Sequence, residues 1–334
     1  MHLNIGVKRA MAHTKRPYSD SFMEGQMVKC SAPGKMILLG EHAVVFGEPA
    51  LAVAIDRRIS ASVRPSTQYL VNGHPMKKKH HAYISAALDQ AWSGPPIRIE
   101  TRSEIPSGSG LGSSAAVAVA CIGALCAKSG VLDPERIARM AFQVECEVQG
   151  RASPTDTSTS VHGQGVLVSP EKREGLLWTI ERGGNVWHVH HCDVPKLRFV
   201  VGYTGIHAPT GPLVAKVKKL CETSEEARRA VKRIGELVEE GVDALRRADR
   251  AKLGALMDED HQLLNSLGVG HEALDRLVSV CRGVSYGAKL TGAGGGGSMI
   301  ALVDDPEKAA KAIADAGGTP ISVRIGCEGV RLEG

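Results

Sequence analysis

The sequence has few aromatic residues and no long apolar run. Phe, Trp and Tyr make up 4% of the 334 residues, whereas apolar residues as a whole make up 43%. This balance is typical of a soluble α/β or α+β protein and argues against an aromatic-rich binding module. No stretch approaches the roughly 18 consecutive apolar residues of a membrane-spanning helix, so we expect no membrane association.

Cysteine pairs and a strong excess of either charge are also missing. The eight cysteines are scattered, and none forms a CxxC pair. We therefore expect reduced thiols in a cytoplasmic protein. The 41 basic and 36 acidic residues give a net charge of +5. This charge is too small to indicate a nucleic-acid-binding protein, but it is compatible with an anionic small-molecule substrate.

The length of the chain allows two domains of ordinary size. Residues 1–26 lack helical or strand periodicity and the apolar core of a signal peptide, which predicts a disordered extension. Strands and helices alternate from residue 27, and nearly every segment from about 212 to 282 is an amphipathic helix. We place a boundary near Pro195, which predicts an α+β fold with an N-terminal domain at 27–194 and a C-terminal domain at 195–334.

A glycine- and serine-rich segment, PSGSGLGSSAA at 106–116, leads directly into an alanine-rich helix. Backbone N–H groups in such a loop, together with the helix N-terminus, form a natural cradle for phosphate. No lysine follows Gly112, so the segment is not a P-loop of the Walker type. A plain strand-to-helix turn with a serine N-cap is the alternative interpretation. The residues predicted to hold the phosphates of a nucleotide are Pro106, Ser107, Gly108, Ser109, Gly110, Leu111, Gly112, Ser113 and Ser114.

A second glycine-rich segment, GAGGGG at 292–297, matches the GxGxxG pattern of dinucleotide-binding folds. The residues that follow, SMIALV, predict a strand, whereas the dinucleotide motif requires a helix at that position. We therefore interpret the segment as a wall that approaches a ligand closely, with a simple hairpin connection as the alternative. On this interpretation, a bulky residue at Gly294 or Gly295 should raise KM far more than it lowers stability.

Three segments together resemble the signature motifs of the GHMP superfamily of small-molecule kinases. They are SAPGKMILLGEHAVVFG at 31–47, PSGSGLGSSAAVAV at 106–119 and KLTGAGGGGSMIAL at 289–302. Within the superfamily, VQGRASPTDTSTSVHG at 148–163 is similar to mevalonate kinases of the archaeal type. The resemblance implies a two-domain GHMP kinase fold, with an N-terminal domain like domain 2 of ribosomal protein S5 and a ferredoxin-like C-terminal domain. ATP and the acceptor would meet in the cleft between them.

The resemblance also implies a role for individual residues. Asp156 would accept or orient the proton of the attacking hydroxyl, and Lys35 would stabilise charge on that carboxylate and on the reacting oxygens. Mg²⁺ would be held by Ser114, with Ser113 as the alternative, and by Glu145. The residues expected on the acceptor side are Glu41, His42, Asp156, Gly294 and Gly295. For His42, a packed core histidine is an equally open interpretation.

The function that the resemblance implies is ATP- and Mg²⁺-dependent phosphorylation of mevalonate by a homodimeric enzyme. One alternative is a sister kinase that acts on phosphomevalonate or another small alcohol. The other is a non-catalytic sensor that keeps the fold and binds ATP. Such sensors usually lose the acidic pair or the lysine, and this chain retains Lys35, Glu145 and Asp156.

Overall fold

The computed structural model describes residues 26–150 and 152–334. Within these residues, the first β-sheet contains β1 (Val28–Leu39), β2 (Ala50–Pro65), β3 (Leu70–Val71), β4 (His74–Pro75), β5 (Ile97–Ser103), β6 (Gly165–Ser169), β7 (Leu176–Arg182), β8 (Asn185–Cys192) and β13 (Arg331–Leu332). The second sheet contains β9 (Arg198–Tyr203), β10 (Gly287–Thr291), β11 (Ser298–Val303) and β12 (Thr319–Arg324). Except for Gln26, the extension predicted at 1–26 lies outside the described residues.

Helices cover both sheets and connect their strands. In the first half of the chain they are α1 (Ala82–Ala91), α2 (Ser113–Lys128), α3 (Pro134–Gln149) and α4 (Thr155–His162). In the second half they are α5 (Thr210–Thr223), α6 (Glu225–Arg246), α7 (Arg250–Ser266), α8 (Glu272–Arg282) and α9 (Pro306–Asp315). No helix of the described ranges is both long enough and apolar enough to cross a membrane. The α+β prediction is confirmed.

The two sheets follow one another along the chain, except at its C-terminal end. In the first sheet the strand order is β4-β3-β5-β2-β6-β8-β7, and β1 pairs with β2 and β13. In the second the order is β10-β11-β9-β12, with antiparallel neighbours throughout. The change from one sheet to the other occurs between β8 and β9, close to the predicted boundary at Pro195.

The C-terminal tail crosses back from the second sheet to the first. In β13, Leu332 lies opposite Cys30 of β1 in an antiparallel pair. Arg58 of β2 anchors the tail because its guanidinium donates hydrogen bonds to the carbonyl oxygens of Glu328 and Gly329, both at 2.7 Å. The last residues of the predicted 195–334 domain therefore extend the first sheet.

The alanine content of α2 follows from its position. The helix packs against β1 and β2 on one side and against α1 and α3 on the other. Side chains from Ala115 to Cys126 are almost all buried, and only small residues fit at such close approaches. At Gly123, a Cβ atom would lie 2.9 Å from Cγ2 of Val330. This packing places the N-terminus of α2, with Ser113 and Ser114, at a defined point beside β1.

A buried cluster of charged side chains joins the two sheets. Lys289 of β10 forms ion pairs with Glu41, which follows β1, and with Asp260 of α7, whose Oδ2 lies 3.2 Å from the Lys289 Nζ atom. All three residues are almost completely buried. Burial raises the pKa of Asp260 well above its usual range; Lys289 opposes this rise, and the Glu41 carboxylate adds to it. The rise favours the protonated form of Asp260, because two carboxylates around a single buried ammonium group would leave an excess of negative charge.

We expect Asp260→Asn to become more stable relative to the natural protein as the pH rises. Because the pKa of Asp260 is raised in the folded state, the stability that this group contributes is complete below its unfolded pKa. It is then lost as the pH rises through the folded pKa, by at most about 1.4 kcal/mol per pH unit. Asparagine has a similar shape and does not titrate. Denaturant unfolding at pH 5 and pH 8 measures the difference, with the exposed Asp315→Asn as control. A difference that does not change with pH would contradict the assignment.

The glycine-rich connection between β10 and β11 is packed too tightly for side chains at some positions. Gly294 has a φ of +79°, and a Cβ atom there would lie 2.1 Å from the carbonyl oxygen of Val269. At Gly295, the backbone N–H donates a hydrogen bond to the same oxygen at 2.8 Å. The expectation that a bulky residue at Gly294 mainly raises KM is therefore wrong, because such a residue must first displace a backbone carbonyl.

We expect Gly294→Ala to lower the free energy of unfolding clearly more than Gly183→Ala does. Gly183 also has a positive φ, +58°, but a Cβ atom there would meet open space. The control therefore isolates the cost of the left-handed backbone, about 1–2 kcal/mol, and any further loss at Gly294 reports the clash with Val269. Equal losses of stability in the two variants, measured by denaturant unfolding, would disprove the tight packing of this connection.

Candidate active site

Lys35 is the central side chain of the candidate site. It lies in β1, is almost fully buried, and its Nζ atom is 3.0 Å from Oδ2 of Asp156. The same ammonium group donates a hydrogen bond to the carbonyl oxygen of Gly110 at 3.2 Å. The backbone N–H of Lys35 donates to the carbonyl oxygen of Leu111 at 3.0 Å. The structure thus brings the two predicted catalytic residues into contact, directly beside the predicted phosphate loop.

Asp156 lies in the first turn of α4, where the partial positive charge of the helix N-terminus favours a carboxylate. The N-cap of this helix is Pro154, and none of the side chains that the structure describes caps it. Asp156 is therefore not the N-cap of the helix, and it faces Lys35 with part of its side chain exposed. The helix is docked on β1 by Ser160, whose hydroxyl donates to the carbonyl oxygen of Pro33 at 2.7 Å.

The loop before α2 has the geometry of an anion cradle. Gly108, Gly110 and Gly112 all have φ between +73° and +75°, a region that favours glycine. Gly112 is the N-cap of α2, and no side chain in the described part of the chain accepts from the first N–H groups of the helix. The alternative of a serine N-cap is therefore wrong. Those N–H groups remain available to an anion, as expected at a phosphate-binding helix N-terminus.

Gly112 also has a steric role toward Lys35. A Cβ atom at this position would lie 2.8 Å from Cγ of Lys35 and 3.0 Å from its Cε. The lysine stem therefore passes over the glycine, and the positive φ and the absence of a side chain are both required there. This contact couples the first motif to the second.

Glu145 is buried on the inner face of α3, beside the start of α2. The hydroxyl of Ser114 donates a hydrogen bond to its Oε1 atom at 3.4 Å. Burial raises the pKa of Glu145 to about 8; the Asp156 carboxylate adds to this rise and Lys35 opposes it. A buried carboxylate and a hydroxyl are oxygen ligands of the kind that Mg²⁺ takes, with phosphate oxygens and water completing its shell. The residues present therefore fit a divalent cation.

The glycine-rich connection at 292–297 lies against the phosphate loop. A Cβ atom on Gly292 would be 3.6 Å from the carbonyl oxygen of Gly110, and one on Gly297 would be 3.9 Å from that of Ser109. The two glycine-rich segments, far apart in sequence, are therefore neighbours. Gly294 and Gly295 were predicted to contact the acceptor. Gly294 packs closely against the backbone of Val269, and Gly295 is hydrogen-bonded to Val269 and packs against Leu213.

Glu41 and His42 lie in the buried contact between the two sheets. Glu41 is paired with Lys289, and Nε2 of His42 is hydrogen-bonded to the carbonyl oxygen of Ala293 at 2.9 Å. Burial lowers the pKa of His42, so the imidazole is neutral at pH 7. One atom of each, Glu41 Oε2 and His42 Nδ1, is buried without a hydrogen-bond partner among the described residues. His42 is therefore a packed, hydrogen-bonded core histidine. Contact of Glu41 or His42 with an acceptor stays a prediction.

Sequence reasoning missed four residues around the site. Lys289 and Asp260 form the buried cluster with Glu41, and Tyr83 and Gln149 lie beside Glu145. A lysine within the buried strand pattern of KLT was a signal that could have indicated an internal ion pair. Tyr83 left no such signal, because a single tyrosine on an ordinary helix shows nothing of its distant partners.

Comparisons with known proteins agree with the geometry. Residues 79–164 match the N-terminal domain of GHMP kinases, and residues 242–318 match the GHMP kinase C-terminal domain. A mevalonate kinase of Pyrococcus abyssi is 37% identical, over 92% of this chain and 98% of its own. A mevalonate kinase of Archaeoglobus fulgidus is 37% identical, over 81% of this chain and 91% of its own.

Solved structures share the fold. A crystal structure of a mevalonate kinase has a TM-score of 0.72 with 25% identity, and covers 90% of this chain and 99% of its own. A structure described as L. major mevalonate kinase in complex with R-mevalonate has a TM-score of 0.75 with 24% identity, and covers 91% of this chain and 98% of its own. With the two GHMP domains in place and relatives matched over almost their full length, this chain belongs to the mevalonate kinase family of the GHMP kinases.

Proposed function

We propose that this protein transfers the γ-phosphoryl group of ATP directly to the 5-hydroxyl group of mevalonate, which gives 5-phosphomevalonate and ADP. The observation that carries the proposal is the contact between Lys35 and Asp156 beside the N-terminus of α2. The family membership of the chain supports mevalonate as the acceptor. The homodimer implied by the resemblance stays a prediction.

Phosphoryl transfer requires the two reactants to be aligned and the spreading negative charge to be neutralised. We assign the first task on the acceptor side to Asp156, which accepts or orients the proton of the attacking hydroxyl. The ammonium group of Lys35 lies 3.0 Å from that carboxylate. It also donates a hydrogen bond to the carbonyl oxygen of Gly110 in the phosphate loop. It is therefore placed to stabilise charge on both the acceptor oxygen and the transferred group.

On the nucleotide side, the N–H groups of residues 107–114 and the first turn of α2 would bind the phosphates of ATP. Kinases of this family use ATP and typically a divalent cation, and we propose Mg²⁺. When bound, the cation neutralises charge on the phosphate oxygens. Ser114 and Glu145 would hold it, since their oxygens are adjacent and no cationic side chain among the described residues donates a hydrogen bond to Glu145.

Acceptor identity is tested by ADP release. With saturating ATP and Mg²⁺, we expect turnover with mevalonate to exceed turnover with phosphomevalonate by more than about 100-fold, a difference of some 3 kcal/mol in transition-state binding. A coupled assay with each acceptor in turn measures the ratio. Preference for phosphomevalonate would show a sister kinase instead. If no ADP is released with either acceptor, the result would favour the non-catalytic sensor.

The role of Asp156 is tested by Asp156→Asn. We expect kcat to fall by about 10²- to 10⁴-fold, because general-base assistance or orientation of the hydroxyl is lost. ATP binding, measured by calorimetry without acceptor, should change less than about threefold, since the carboxylate is paired with Lys35 and no hydrogen bond among the described residues joins it to the phosphate loop. Asp315→Asn, on the exposed face of α9, is the control with unchanged kinetics. A fall of less than tenfold in kcat would remove Asp156 from the proposed mechanism.

A further inference from the structure

Beside the proposed cation ligand Glu145, two side chains outside all three motifs form a hydrogen-bonded chain. We propose that Tyr83 and Gln149 are positioning residues, which hold the Glu145 carboxylate so that one of its oxygens is presented to the divalent cation. This inference rests on the proposed function, because it takes Glu145 as a cation ligand. It adds two residues from α1 and the end of α3 to the site.

The chain runs from the Tyr83 hydroxyl to the Glu145 carboxylate. Nε2 of Gln149 lies 2.8 Å from the hydroxyl oxygen of Tyr83 and donates a hydrogen bond to it. The same nitrogen donates to Oε1 of Glu145 at 3.4 Å. Gln149 and Glu145 are four residues apart on α3, so their side chains share one face of the helix. The amide therefore bridges the tyrosine and the carboxylate.

Three helix ends meet at this point. Tyr83 is the second residue of α1, Ser114 is the second residue of α2, and Gln149 is the last residue of α3. The α1 helix packs against both of the others, which fixes the tyrosine ring in a half-buried position. The tyrosine thus reaches the Glu145 carboxylate through the amide of Gln149.

The two donors to Glu145 act on the same oxygen. Ser114 and Gln149 both donate to Oε1, and no hydrogen bond among the described residues engages Oε2. Both donors are neutral, so they orient the carboxylate without cancelling its charge. A lysine or arginine in place of Gln149 would compete with the cation. Partners of this kind around a metal ligand are commonly worth tenfold or more in metal affinity.

The experiment measures binding of Mn²⁺, as the probe, to the protein with ADP and without acceptor. We expect Tyr83→Phe to weaken Mn²⁺ binding by about 10-fold and to raise the Mg²⁺ concentration for half-maximal activity by a similar factor. KM for mevalonate should stay unchanged. Tyr69→Phe is the matched control, because the Tyr69 hydroxyl donates to the carbonyl oxygen of Gly94 at 3.5 Å, and no hydrogen bond among the described residues joins it to Glu145, Gln149 or Ser114.

A second variant separates positioning from packing. Gln149 is exposed at the end of its helix, so Gln149→Leu should fold normally and still weaken Mn²⁺ binding by about 10-fold. Variants that bind Mn²⁺ as the natural protein does, with or without a lower melting temperature, would show that Tyr83 and Gln149 only support packing, and would overturn the inference.

Mn²⁺ binding also tests the positioning roles independently of phosphoryl transfer to mevalonate. Glu145→Gln should abolish most Mn²⁺ binding; if it leaves binding unchanged, Glu145 is not a ligand and the inference falls with that assignment. If all three variants weaken Mn²⁺ binding while the natural protein phosphorylates no mevalonate, the positioning roles are supported and only the choice of acceptor fails.

Discussion

The buried ammonium group of Lys35 is the constraint on which the rest of the site depends. Moving such a charge out of water costs several kcal/mol, and the cost is offset only if the charge is paired and its hydrogen bonds are made. Asp156 supplies the opposite charge, and the carbonyl oxygen of Gly110 supplies a further acceptor. The stem of the lysine lies over Gly112, where any Cβ atom would collide with it. Residues from three separate segments are therefore required together.

A second set of contacts holds the two sheets in register across the site. Both the N–H and the C=O of Ile37 in β1 are hydrogen-bonded to the hydroxyl of Thr291 in β10, at 3.1 and 3.0 Å. His42 is hydrogen-bonded to the carbonyl oxygen of Ala293 in the glycine-rich connection. Lys289 of β10 forms an ion pair with Glu41, which follows β1. These contacts fix the connection against the phosphate loop. The ion pair also explains why Glu41 and Lys289 are buried at positions where apolar residues are usual.

The charges of the side chains around Glu145 favour the binding of a cation. Glu145 and Asp156 lie near one another, and among residues 26–150 and 152–334 Lys35 is the cation that offsets their charges directly. The hydrogen-bond donors around Glu145 are a hydroxyl and an amide. A divalent cation with the phosphates of ATP would complete the balance, which is the pattern expected where a protein stabilises phosphoryl transfer mainly by charge and position.

The sequence by itself determined the local elements, because their causes are local. A glycine- and serine-rich loop, an alanine-rich helix and alternating strands were readable from 106–128 and from the strands around it, and the three motifs identified the family. Only the tertiary structure decided which of these residues meet. It paired Glu41 with Lys289 across 248 positions, closed the space around Gly294 with the backbone of Val269, and brought Tyr83 to Gln149 across 66 positions. Such contacts depend on how whole helices and sheets pack, and no periodicity along the chain records that packing.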